Sequence, residues 1–144
     1  MVGGLFMQST IYMLEYMADL WDIEIEPEVQ HWLDTLADRD YLVAEHAAER
    51  LQQAPTTLGE PYSRNLGDGV RELRFILGHD SEAIRVTYWL APNRRIVLLT
   101  VFRKTRMRES AEVERAKQAR KVCEVQHDVA QHEYSRIVRI GEGS

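Results

Sequence analysis

The chain has 144 residues, 44% apolar and 28% charged, enough for one domain with a packed core, which excludes wholesale disorder. Its single cysteine, Cys123, cannot close an internal disulfide, so nothing ties the fold to an oxidising compartment, and it reads as a half-buried helix residue. The net charge of −5 taken alone argues against nucleic acid, but residues 94–121 hold ten Lys/Arg against three Glu, whereas residues 1–60 hold two Lys/Arg against twelve Asp/Glu; a block of net +7 suits a local anionic partner.

Met1–Leu20 is mildly apolar but lacks the basic start and long apolar core of a signal peptide. Residues 1–17 read as a candidate extension, with Met7, Met13 and Met17 as alternative starts. A domain is expected over 18–128 and a tail over 129–144. No run of 18 apolar residues is present, so no membrane helix is expected.

Leu20–Glu26 alternates apolar and acidic residues, the period of a half-buried strand. Pro27 suits the first turn of a helix, and Val29, Trp32, Leu33 and Leu36 fall on one helical face. Asp38–Asp40 interrupts that face, and Tyr41, Leu42, Ala44, Ala47, Ala48 and Leu51 continue it as a second helix ending near Gln53, giving an acidic α-hairpin. Ala54–Gly69, rich in Pro, Thr, Gly and Asn, reads as loop.

The period then changes. Val70–Leu77, Ala83–Ala91 and Arg95–Lys104 read as three strands joined by short turns, hence an antiparallel meander. The nearly all-apolar Ile96–Phe102 is expected to be central and covered on both faces. Glu109–His127 reads as a charged helix with a thin stripe of Val113, Ala116, Ala119, Val122 and Cys123. Tyr134–Ile140 fits either a last strand or a loose end. The expected fold is α+β, in the order β-α-α-β-β-β-α, with the α-hairpin on one sheet face and a polar groove on the other.

Phosphate-loop, dinucleotide-binding and zinc motifs (GxxxxGK[ST], GxGxxG, HExxH, CxxC) are absent, and the five histidines are scattered, so no metal or cofactor is expected. The strand arginines are more informative. Alternation sets Arg71 and Leu73 on one face and Glu72 and Arg74 on the other. Arg85, Thr87 and Trp89 share a face, opposite Ile84, Val86, Tyr88 and Leu90. A strand arginine is costly to bury unpaired. Either Glu72 or Glu82 neutralises Arg85, or Arg85 clamps a phosphate through its planar fork. Arg103, Lys104, Arg106 and Arg108, then Arg115, Lys117, Arg120 and Lys121, adjoin Tyr88, Trp89 and Phe102; cations mixed with aromatics suit single-stranded RNA.

Three segments together resemble the phage-derived, HigB-like branch of the RelE toxin superfamily: Gly67–Phe75 with its Leu-Arg strand, Ile84–Tyr88, and Arg95–Thr105 running into a charged helix. The resemblance spans roughly Asp19–Val125. It implies a RelE-like fold and a cytoplasmic toxin of a type II toxin–antitoxin system. It further implies a ribosome-associated, metal-independent mRNA endoribonuclease, paired in a hetero-oligomer with a helix-turn-helix, HigA-like antitoxin. By that resemblance Arg74 and Arg85 match strand arginines at the scissile phosphate, and Lys104 matches a lysine after the apolar strand. These three are the expected catalytic residues. Arg71, Arg103, Arg106, Arg108, Lys117, Arg120 and Lys121 are the expected RNA-binding residues. Tyr88 matches a common strand tyrosine, but alternation puts it opposite Arg85 and favours a core role. The tyrosine or His-Asp pair seen near the last helix in other members is missing here, where Met107–Glu112 stands. The general base is left among Glu109, Glu112 and a lysine of lowered pKa. Two other readings compete: a non-catalytic RNA- or protein-binding module on the same fold, and an adaptor whose basic helix meets only an acidic partner.

Overall fold

In this computed structural model, residues 19–105 and 109–126 are described; the expectations placed on 1–17, Arg106, Arg108 and 129–144 lie outside them. The elements in chain order are β1 (Asp22–Ile25), α1 (Pro27–Asp34), α2 (Asp38–Gln53), β2 (Ser63–Gly67), β3 (Val70–Leu77), β4 (Glu82–Ala91), β5 (Arg95–Arg103) and α3 (Glu109–Gln126). No helix among the described residues is long and apolar enough to cross a membrane.

The five strands form one sheet in the order β1-β5-β4-β3-β2. The meander β3-β4-β5 pairs antiparallel as expected. Three features differ from the sequence expectation. Ser63–Gly67, assigned to loop, is an edge strand paired with β3. β1 runs parallel to β5, so the sheet is mixed rather than purely antiparallel. The middle strand is β4, with the apolar β5 beside it.

The helix starts follow from local chemistry. Pro27 opens α1, where its missing N–H costs nothing. Asp38 and Asp40 lie in the first turn of α2, favourable at the positive end of the helix dipole. The Gly67-Asp68-Gly69 turn carries φ values of +94°, +53° and +75°, which turn the chain from β2 into β3. A Cβ on Gly69 would also lie 3.2 Å from the Arg120 guanidinium carbon, so glycine there lets α3 sit close.

Each sheet face has its own core. On the first, α1 and α2 pack Val29, Leu33, Tyr41, Ala44, Ala47 and Leu51 against Leu73, Leu77, Ile84, Val86, Tyr88, Ile96 and Leu98. Each fully buried aliphatic side chain there contributes about 1.5–3 kcal/mol. Tyr88 is fully buried, its hydroxyl 2.6 Å from Ser63 Oγ, in agreement with the core role expected for it. On the second face, α3 sets Ala116 and Cys123 against Val70, Trp89, Ala91, Val97 and Leu99. That face is therefore only partly a polar groove: α3 covers one end and leaves the other to charged side chains.

Candidate functional site

The end of the second face beyond that apolar patch is built from adjacent strands in register. Arg74 on β3 lies directly opposite Arg85 on β4, and Glu72 opposite both Thr87 on β4 and Arg64 on β2. Like charges directly opposite on one face repel. Glu72 resolves this: its Oε1 is 3.8 Å from Nε of Arg74 and 3.8 Å from Nε of Arg85.

Glu72 is fully buried, and Arg85 nearly so. Among the described residues neither Glu72 oxygen accepts a hydrogen bond, and the Nε atoms of Arg74 and Arg85 donate none. Thr87 is already committed, sharing a 2.5 Å hydroxyl–hydroxyl bond with Thr100 and accepting from the Thr100 amide. Burial pushes the Glu72 carboxyl up from its ordinary range, against the pull of Arg85 and Arg74. Burial, reinforced by Arg74, pushes the Arg85 guanidinium down. The ion pairs are thus held at distance, by Coulomb attraction rather than hydrogen bonds, and the solvent-facing side of Arg74 stays partly exposed.

Four further residues border this cluster. Arg64 on β2 and Glu109 at the start of α3 are both more than a third exposed and lie 4.0 Å apart. Phe102 pairs in register with Arg85 and is half-buried. The Lys104 amide donates to Ala83 O at 2.8 Å, which continues the β4–β5 ladder by one step and sets Lys104, exposed, on the side of Phe102.

The structure brings together Arg74 and Arg85, with Lys104 at the rim. Other expected RNA-binding residues stand elsewhere. Arg71 lies on the opposite face, where its guanidinium donates to Ser63 Oγ, Tyr88 Oη and Leu58 O. Arg103 also turns to that face and is 2.8 Å from Glu82. On α3, Lys117 pairs with Asp68 at 3.3 Å, and Arg120 stacks 4.8 Å over Trp89 while donating to Asp68 O. Lys121 is exposed. Arg115 ion-pairs with Glu28 and Glu112, and Glu28 also accepts from the Val101 amide where β1 has ended. Much of the basic block therefore docks α3 and the sheet edge.

Sequence reasoning missed Arg64, and saw in Glu72 only a bridge partner. The Asp68-Gly69 dipeptide is a hairpin signal that would have revealed β2 and put Arg64 across from Glu72. Among the described residues no group of His, Cys, Asp and Glu is placed to hold a metal ion.

The comparisons with known proteins agree with this architecture. No curated protein sequence matches the chain significantly. The structure superposes on that of the E. coli toxin RelE, an arginine-to-alanine double mutant in the free state. The TM-score is 0.50 at 11% identity, covering 70% of this chain and 97% of that one, so the likeness is one of fold. Residues 31–121 match the family described as phage-derived Gp49-like proteins, from within α1 to the basic half of α3. The resemblance to a phage-derived branch on a RelE-type fold, drawn from the three strand motifs, is borne out. The chain belongs to the phage-derived Gp49-like family and carries a RelE-type fold.

Proposed function

We propose that this chain is the toxin of a toxin–antitoxin pair and cleaves mRNA on the ribosome, using the Arg74–Arg85 cluster to hold the scissile phosphate. The observation that carries this reading is the placement of two arginines directly opposite each other on the α3 face of the sheet, beyond the apolar patch, with Arg74 partly exposed and Arg85 nearly buried. A pair of planar guanidinium forks held on rigid strands suits a phosphodiester and the charge that builds on it.

The reaction consistent with these groups is attack of a ribose 2′-OH on the adjacent phosphorus. The new O–P bond closes a 2′,3′-cyclic phosphate, and the 5′-oxygen leaves with a proton. Arg74 and Arg85 orient and stabilise the phosphorane. Lys104 and Arg64 add positive charge at the rim. Of the carboxylates considered as base, Glu109 has the better position, because it borders the cluster whereas Glu112 is engaged by Arg115. Phe102 offers a stacking surface for a neighbouring base. The partner is a helix-turn-helix, HigA-like antitoxin, and the site of action is the cytoplasm.

A second reading, RNA or protein binding without cleavage, is favoured by the pairing of Glu109 with Arg64, which engages the proposed base. Induced expression separates them. Under the first reading growth arrests, mRNA is cut, and Arg74→Ala or Lys104→Ala relieves both. A wild-type chain that leaves mRNA intact overturns it.

A further inference from the structure

The paired arginines neutralise Glu72 without bonding it. In a settled buried ion pair the remaining lone pairs and protons are satisfied by hydrogen bonds, since desolvating both charges is otherwise hard to recover. Here a fully buried carboxylate has both oxygens without a hydrogen bond among the described residues, and both arginine Nε atoms facing it are likewise unbonded. Arg85 Nη1 donates to Ile84 O at 3.1 Å, but the 3.8 Å separations leave Nε of both arginines open to a better acceptor. A phosphodiester, with its non-bridging oxygens, fits two guanidinium groups bidentately, which Glu72, two residues along the strand from Arg74 and 3.8 Å from each Nε, does not.

We infer that Glu72 is an exchangeable counter-ion: an entering phosphodiester takes over the Arg74 and Arg85 forks, and Glu72 takes up one proton as it loses them. This rests on the reading that the site receives RNA. The groups facing Glu72 are Arg64 from β2, Arg74 from β3, Arg85 and Thr87 from β4, and Glu109 from α3. The phosphodiester offsets one of the two guanidinium charges and occupies both forks; Arg64 and the remaining charge still favour an ionised Glu72, while burial, the added phosphate charge and Glu109 oppose it and shift the balance toward the protonated carboxyl. The proton comes from solvent, so no other group changes its bonds. The exchange keeps the site near charge balance when empty and ties RNA binding to pH. Glu72 is a positioning residue in this scheme, because it sets the arginines and does not touch the reacting atoms.

The test is calorimetric titration of the full chain with a 2′-O-methyl RNA oligonucleotide, which binds but cannot be cleaved. The titration is repeated in buffers of different ionisation enthalpy from pH 5 to pH 8. The expected result is uptake of about one proton per bound oligonucleotide. Affinity then rises by up to about tenfold for each pH unit lowered within the window, since proton and ligand must favour each other reciprocally. Glu72→Gln abolishes the uptake and flattens the pH dependence, whereas Glu82→Gln, on the opposite face of the sheet, keeps both. Infrared difference spectra of the wild type give a readout independent of folding in the variant: a protonated-carboxyl C=O band grows in on binding. Binding with no uptake and no such band overturns the inference and leaves the RNA reading standing. Uptake that depends on Glu72, without cleavage on ribosomes, keeps the inference and removes the catalytic claim. Failure to bind at low salt removes both.

Discussion

Arg85→Ala strands a buried carboxylate, and the cost can be worked out. Glu72 would lose one of its two guanidinium partners in a place water does not reach. It escapes a bare buried charge by taking a proton, so the penalty is capped by the work of protonating an ordinary carboxyl. From the ordinary value of 4.5 to pH 7, at ~1.4 kcal/mol per pH unit, the cap is about 3 kcal/mol. Arg74 stays in place and retains part of the attraction, which sets the expected loss at about 2–3 kcal/mol at pH 7. This lies at or just below the range for breaking buried ion pairs. The loss depends on pH. In the unfolded chain Glu72 titrates near its ordinary value, and in the folded variant well above it. Between the two the folded state holds the extra proton, so stability falls as pH rises through that window and the deficit against wild type shrinks towards pH 5. Urea unfolding from pH 5 to pH 8 measures this directly. Arg85→Ala combined with Glu72→Gln removes the stranded charge and restores most of the stability, but not RNA cleavage. A deficit equal at pH 5 and pH 8, or one that Glu72→Gln leaves untouched, would refute the reasoning.

Other outcomes follow from the same contacts. Tyr88→Phe leaves the buried Ser63 hydroxyl and Arg71 short of a partner and costs about 1–2 kcal/mol in urea melts, with RNA cleavage retained. Arg120→Ala removes the stack on Trp89 and the bond to the Asp68 carbonyl, and faster amide hydrogen exchange in α3 reports the loosened helix. Glu28→Ala frees Arg115 and the Val101 amide; since the ion pair is well exposed, the loss stays below about 1 kcal/mol and shrinks in high salt. Burial pushes the Cys123 thiol up to about 11, so alkylation at pH 8 is slow in the native protein and fast once it unfolds.

Local periodicity made most of this fold legible. The alternation of Asp22–Ile25, the helical spacing of Val29, Leu33, Tyr41 and Leu51, and the meander from Val70 to Arg103 all match the structure to within a few residues. The edge strand β2 was hidden because Ser63-Arg64-Asn65-Leu66-Gly67 has almost no apolar content; its register comes from β3, not from its own pattern. The parallel pairing of β1 with β5 joins residues more than seventy positions apart, which alternation cannot specify. At the site, alternation put Glu72 and Arg74 on one face of their strand and Arg85, Thr87 and Trp89 on one face of the next; that the two faces coincide comes from the register of β3 with β4. Alternation could not tell docked cations from available ones. Lys117 and Arg120 meet the Asp68 turn about fifty positions earlier, and Arg103 meets Glu82, so the net charge of the basic block overstates the surface open to RNA. Nor does composition reveal that Glu72 would be sealed without hydrogen bonds, since that follows from the α3 and β2 packing around it.

The central claim, cleavage of mRNA at the Arg74–Arg85 cluster, is tested most directly by adding purified protein to translating ribosomes on a defined message and mapping the new 3′ ends. The account predicts cuts bearing 2′,3′-cyclic phosphate with the wild-type chain, and none with Arg74→Ala or with the stability-restored Arg85→Ala/Glu72→Gln double variant. Intact message with the wild type, or unchanged cutting by the folded variants, would contradict it.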